Sequence, residues 1–301
     1  MQARFGHRAA LGSALIGAAL IAGCAGEAVR DSVLVTTNDA GALRHPGAQS
    51  QSLLKVADAT MAAGNYEAAL GIYRRAHEHD TWAFAPLFGQ AMALQRMGHY
   101  EEAAKAFRRA LESKPYDPDA TRELGNVLIA LSQPALALAQ FEAVLKSKPD
   151  ARAYNGLGVA KDMLGNHDGA QRDYRAALAL AANHVAARNN LALSLAVTGH
   201  YGEAIELLRA LAGEPGATMR HRQNLALAYG LAGETERAAQ MARQDLDEAT
   251  VRQNLRLYAT LRALNDPQRV AEAVGLVPRP VNADGAATGY TGVSARIGSP
   301  D

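Results

Sequence analysis

The chain has 301 residues with 31 basic and 30 acidic side chains, and aromatics make up only 5% of it. Balanced charge excludes the basic footprint of a nucleic-acid-binding protein, and a composition rich in Ala and Leu disfavours sheets, which draw on β-branched and aromatic residues. Cys24 is the sole cysteine, so neither a disulfide framework nor a cysteine metal site can form within one chain.

At the N-terminus, Arg4, His7 and Arg8 form a short basic region, and residues 9–22 follow as an uncharged stretch of 14 residues ending in small side chains. This is the layout of a secretory signal peptide. The stretch is too short to span a bilayer, which takes about 20 apolar residues. Its end, Ile21-Ala22-Gly23-Cys24, resembles the bacterial lipobox, in which an aliphatic and two small residues precede a cysteine. The resemblance implies cleavage between Gly23 and Cys24, diacylglycerol on the Cys24 sulfur and acylation of the new amine. The alternative is an ordinary signal peptide cut after Ala25. Loss of residues 1–23 removes Arg4 and Arg8 and no acid, which takes the formal charge from +1 to −1 (+1 − 2). Each buried CH₂ contributes about 0.8 kcal/mol, so several acyl chains on Cys24 hold the protein to a lipid bilayer permanently. Position 25 is Ala, not the Asp that retains many lipoproteins in the inner membrane. The implied destination is the periplasmic face of the outer membrane.

Residues 24–48 show no sustained period and carry Gly, Asn, Asp and Pro. They are read as a lipid-anchored flexible linker with an r.m.s. reach of roughly 25–30 Å. From there the chain repeats. Gly64-Asn65-Tyr66, Gly98-His99-Tyr100, Ser132-Gln133-Pro134, Gly165-Asn166-His167, Gly199-His200-Tyr201 and Gly233-Glu234-Thr235 hold one position at spacings of 34, 34, 33, 34 and 34. Five residues after each Gly or Ser stands an alanine (69, 103, 137, 170, 204, 238), and four further on a larger residue in most units: Tyr73, Phe107, Phe141, Tyr174 and Leu208, with Ala242 the weak case. Such spacing predicts paired helices. Glycine tolerates the left-handed turn that ends the first helix, alanine lets the second helix approach closely, and the aromatic fills the gap between pairs. Asp117-Pro118 offers an N-cap followed by proline at the first helical position, and Asp150 can cap the next first helix.

Over about residues 50–252 these units resemble the tetratricopeptide repeat (TPR) family, in six units. The resemblance implies an all-α, right-handed superhelical solenoid with repeats at 49–252. Two further helical stretches, 251–264 and 267–275, are expected to seal the last apolar face, so that 253–277 forms a C-terminal cap. Residues 278–301, rich in Gly, Ala and Pro, are expected to be disordered.

No G-x-S-x-G, H-E-x-x-H or phosphate-cradling Gly-rich loop is present, so neither an enzyme, a cofactor, a metal nor a small-molecule substrate is expected. His77 and His79 are two apart and face different sides of a helix, and His99, His167 and His200 fall at repeat turns, where polar residues belong. In the TPR family, the second, fifth, sixth and ninth positions of each unit reach into a concave groove. Here they include Arg122, Asn126, Arg152, Asn155, Asn189, Asn190, Arg220, Gln223 and Asn224. Asn190 and Asn224 lie 34 apart in near-copies, RNNLALSLAVTG and RQNLALAYGLAG. Amides can pair with the backbone of an extended peptide, and arginines suit a carboxylate or acidic segment. The other reading is that these amides hydrogen-bond between adjacent helices.

Residues 220–264 go beyond a generic repeat. Asn224-Leu225-Ala226-Leu227, the Ala232-Gly233 turn, the stretch from Arg243 to Leu246 and Asn254-Leu255 resemble the C-terminal region of the TadD family, the TPR lipoproteins of tight-adherence (Flp) pilus assembly. The resemblance implies a pilotin-like factor that binds the outer-membrane secretin, or other pilus-assembly proteins, and aids secretin localisation and multimerisation. The alternative is a periplasmic scaffold of another envelope machine, such as type IVa pilus assembly, outer-membrane protein assembly or polysaccharide export. If the lipobox reading holds, Cys24→Ser supplies no thiolate to alkylate, and metabolic labelling with a radioactive fatty acid loses the band of this protein.

Overall fold

The structure, a computed structural model, describes residues 46–276, and these form fourteen α-helices with no strand among the described residues. The expected signal peptide, Cys24 and the tail at 278–301 lie outside them. Twelve helices make six antiparallel pairs: α1 (Pro46–Ala62) with α2 (Tyr66–His79), α3 (Phe84–Arg96) with α4 (Tyr100–Ser113), and α5 (Pro118–Ala130) with α6 (Pro134–Ser147). Then follow α7 (Ala151–Met163) with α8 (His167–Leu180), α9 (Val185–Val197) with α10 (Tyr201–Ala212), and α11 (Met219–Ala232) with α12 (Thr235–Ala242). Each second helix packs on the next first helix, and α1 also touches α3, α5 touches α7, α7 touches α9 and α9 touches α11. First helices therefore line one inner layer, with Gln95 of α3 donating to Glu123 of α5 (3.2 Å) where those two stand farther apart.

Two boundaries differ from the sequence expectation. Helix α1 starts at Pro46, inside the stretch read as linker, because proline needs no N–H partner in a first turn. After the repeats, α13 (Glu248–Leu264) runs across the expected 252/253 boundary, since the Asp247 carboxylate accepts from the Ala249 and Thr250 N–H groups and starts the helix there. A short α14 (Pro267–Val274) follows and packs on α9 and α13.

The turn chemistry is uniform. In each pair a residue with positive φ ends the first helix: Gly64, Gly98, Gly165, Gly199 and Gly233, with Ser132 at φ 56 in the third. The following N–H reaches back to the carbonyl five residues earlier, as in His99 to Leu94 (2.9 Å) and Gln133 to Leu128 (2.8 Å), which closes a Schellman motif. Asp117 and Asp150 cap α5 and α7 by accepting from the Ala120 and Ala153 N–H groups (2.9 and 2.8 Å).

All six turn-associated alanines are fully buried, so no side chain separates the paired backbones. Three of the four repeat rings lie against glycines of the inner layer, while Phe107 packs edge-on against Phe88. A Cβ at Gly89 would meet the Tyr73 ring at under 3.0 Å, and the same holds for Gly125 and Gly156 against Phe141 and for Gly158 against Tyr174. In the last pair α12 is only eight residues long and ends at the small Ala242. There Tyr258 of α13 supplies the missing ring and covers Gly230.

Three substitutions test the packing and the turns in opposite directions. Ala103→Leu and Ala170→Leu overfill a closed helix contact, and each is expected to lower stability by about 1–3 kcal/mol in thermal melts. Ser132→Gly removes a Cβ from a left-handed residue, and after the extra chain entropy of glycine it is expected to raise stability by about 0.5–1 kcal/mol.

Candidate functional site

The inner layer brings the sequence-predicted amides together. Asn224 Nδ2 on α11 donates to Asn189 Oδ1 on α9 (2.7 Å), Asn189 Nδ2 to Asn190 Oδ1 (3.4 Å), and Asn190 Nδ2 to Asn155 Oδ1 on α7 (3.1 Å). The four amides form one head-to-tail ladder across three first helices. Asn189, Asn190 and Asn224 are 9%, 4% and 3% exposed, which leaves little of them for a ligand. The amides expected to meet a peptide backbone are thus largely spent on one another. A buried amide must be paired where it sits, and the neighbouring repeat offers the nearest partner.

The charged and remaining polar positions divide. Arg122 is buried, bound to Asp119 (2.8 Å) and close to Glu123 and Asp150. Burial works against its charge, but the three carboxylates outweigh that and hold the guanidinium pKa above its usual value. It is therefore a structural cation and not an open anchor. Asn126 donates to Glu123 (3.1 Å), and Gln223 turns to Asp245 (3.2 Å), which also pairs with Arg222. Arg152 and Arg220, both at the second position of their units, are exposed and form no salt bridge among the described residues. Of the nine expected groove residues, these two keep free charge.

A second polar centre went unread in the sequence. Asp162 on α7 is fully buried and accepts from Ser194 Oγ of α9 (2.9 Å) and Tyr174 Oη of α8 (2.9 Å), and it bonds His167 Nδ1 (2.8 Å). His167 is therefore not a solvated turn residue but a buried partner. The signal lay in the repeat register: Asp162 occupies a position filled elsewhere by Met61, Gln95, Ile129, Ala196 and Gly230, and Ser194 one filled by alanine or valine. Burial raises the Asp162 pKa, and the hydrogen bonds from His167, Ser194 and Tyr174 only partly reverse this. Serine and histidine both point at the acid and not at each other, so the group has no nucleophile–base pair. It ties three consecutive helices together. Among the described residues no group of three or more His, Cys, Asp or Glu is placed to hold a metal ion.

Residues 94–158 and 163–219 match two tetratricopeptide-repeat models. These stretches are tetratricopeptide repeats. Over 96 residues, 32% of its length, the chain is 38% identical to the uncharacterized protein y4yS of Sinorhizobium fredii, and the match spans about half (53%) of that curated relative. Among solved structures, PilW, described as a widely conserved type IV pilus biogenesis factor, is similar with a TM-score of 0.62 at 19% identity, covering 70% of this chain and 98% of PilW. PilF of Pseudomonas aeruginosa is similar with a TM-score of 0.56 at 18% identity, covering 65% of this chain and 89% of PilF. At such identities the shared property is the TPR solenoid itself.

The Asp162 centre has measurable consequences. Asp162→Ala orphans the Ser194 and Tyr174 hydroxyls and the His167 ring, and at about 1–3 kcal/mol for each buried unpaired group the expected loss is at least about 3 kcal/mol in urea denaturation. Asp162→Asn, which keeps one acceptor oxygen, is expected to lose less. The folded pKa of Asp162 lies above its unfolded value of about 3.9, so folding favours the protonated form. Its contribution is fully present below the unfolded pKa and is lost as pH rises through the folded one. Relative to Asp162→Asn, the native chain is expected to lose stability over that rise.

Proposed function

We propose that this protein is a lipid-anchored envelope scaffold that acts as a pilotin-like factor for the secretin of a tight-adherence pilus. In this reading Cys24 carries the acyl chains, the protein faces the periplasm from the outer membrane, and the TPR solenoid holds a secretin segment. The observation that supports it most is the inner face: a rigid floor of paired amides with Arg152 and Arg220 free beside it, two repeats apart. Such a face suits an extended segment bearing carboxylates, which arginine binds through a planar fork of donors. The lipobox at Cys24 and the TadD-like stretch at 220–264 supply the envelope and pilus context. A second reading, an assembly factor for type IV pili, is favoured by the likeness to PilW and PilF.

The test begins with the full chain, purified from detergent-solubilised membranes and assayed for bound secretin. The amides are a poor choice for mutation, because breaking the ladder also loosens the stack. Arg152→Ala with Arg220→Ala leaves the ladder intact, and an unchanged melt is expected. Exposed ion pairs contribute about 0.2–1 kcal/mol each, so losing two should weaken secretin binding by about two- to thirty-fold and flatten its salt dependence. A stable double variant with native affinity and native salt dependence places the binding surface elsewhere. Recovery of a type IVa pilus, outer-membrane assembly or polysaccharide-export component in place of the tight-adherence secretin would favour the alternative machines.

A further inference from the structure

The exposed large apolar side chains are not scattered. Among the described residues eight are exposed, and five of them, Trp82, Tyr116, Leu180, Val185 and Met219, lie at the edge where first helices begin. Trp82 precedes α3 and is 77% exposed; Tyr116 precedes α5 and is 91% exposed. Leu180 closes α8, Val185 opens α9 and Met219 opens α11. Of the other three, Leu136 and Leu164 sit at the opposite edge and Val56 within α1. Trp82 and Tyr116 are 34 residues apart and so hold equivalent places in successive repeats. Tyr116 reaches its place with φ 65, a left-handed conformation that costs energy for any residue with a Cβ.

Chain direction says what this edge faces. Because helices alternate, the start of α1 at Pro46 lies at the same edge as the starts of α3 and α5, so the chain coming from Cys24 enters there. The 22 steps between them (46 − 24) cover at most roughly 75 Å at about 3.3–3.6 Å each. Around Tyr116 the charges pair locally, Lys114 with Asp117 (2.7 Å) and Asp119 with Arg122 (2.8 Å), while Arg152 and Arg220 leave two exposed cations farther along the same edge. The edge thus offers apolar side chains together with two cations, a pairing that suits lipid tails and headgroup phosphates, and Trp and Tyr are the side chains that settle at the boundary between lipid and water. Their spread over four loops suits a flat surface better than the single central cluster of a protein hot spot.

We infer that this edge lies against the lipid headgroups of the membrane that carries the chain, with Trp82 and Tyr116 seated in the headgroup layer; the inference rests on the lipid anchor proposed for Cys24. The anchor holds the protein near the membrane, and the edge sets its orientation, so that the stack lies along the bilayer.

Trp82 is the only tryptophan in the chain and reports its own surroundings. The experiment uses the full lipidated protein in phosphatidylcholine vesicles, with brominated phosphatidylcholine as a contact quencher and iodide as an aqueous one. Trp82 emission is expected to shift to the blue, to be quenched by the brominated lipid and to be protected from iodide, without need of anionic lipid. In a Trp82→Phe background, Met219→Trp should place an indole that is quenched in the same way, while Leu164→Trp at the opposite edge should remain open to iodide. Protein that floats with the vesicles but keeps Trp82 in water overturns the inference and leaves the anchor standing. Protein that fails to float overturns the anchor and the inference together. Protection of Trp82 that appears only on adding secretin, and not with vesicles alone, would make this edge a protein-docking surface and overturn the membrane contact.

Discussion

Each second helix can lie close to its own first helix only because a fully buried alanine follows the turn, and the Tyr73, Phe141, Tyr174 and Tyr258 rings fit against the inner layer where a first helix carries glycine. Interiors packed to this density do not tolerate an added methylene without displacement. No helix pair completes its own core, since the Tyr73 ring needs Gly89 of the next pair and Phe141 lies between Gly125 and Gly156. Stability is therefore passed from neighbour to neighbour, as repeat architectures require. The last pair has no repeat to follow it, and Tyr258 of α13 closes the gap that a seventh unit would have filled.

The inner face shows how the same side chains serve cohesion and limit recognition. Amides at the fifth and sixth positions bridge α7, α9 and α11, and in doing so they use the groups that would otherwise meet a ligand. What is left for a partner is charge at the second position, where Arg152 and Arg220 project beyond the ladder. The division follows from geometry. Positions at the centre of the inner layer face the next first helix within hydrogen-bond distance, while those near a helix start have only solvent and the flanking loop beside them.

Asp162 makes the fourth and fifth repeats different from the rest. A buried carboxylate is costly unless several donors surround it, and here a tyrosine and a histidine of α8 and a serine of α9 do so. Such a cluster favours one register of α7 against α8 and α9 over any slipped alternative, because each donor has a single acceptor to find. Specificity of stacking in the middle of the solenoid thus rests on polar contacts as well as on ring and glycine.

Much of the fold was legible in the residues alone. Repeat spacing, the alanine and the aromatic after each turn, and the caps at Asp117 and Asp150 are local features, and local backbone preferences carry them into the structure unchanged. Even Ser132 could be placed in a glycine slot from spacing alone, and it adopts the same left-handed turn. The start of α1 at Pro46 was hidden because its helix has only a weak apolar face, and the extent of α13 because its cap, Asp247, lies within a unit that had already lost its pattern. What only the tertiary structure decided is which polar groups find partners across repeats. Asn189 and Arg220 looked equally available as inner-face residues, yet one is sealed in a ladder and the other is exposed. Likewise His167 looked like a turn residue and is buried against an acid five positions away. Sequence spacing specifies which face a side chain occupies; whether that face meets water or a neighbouring helix depends on how the pairs stack.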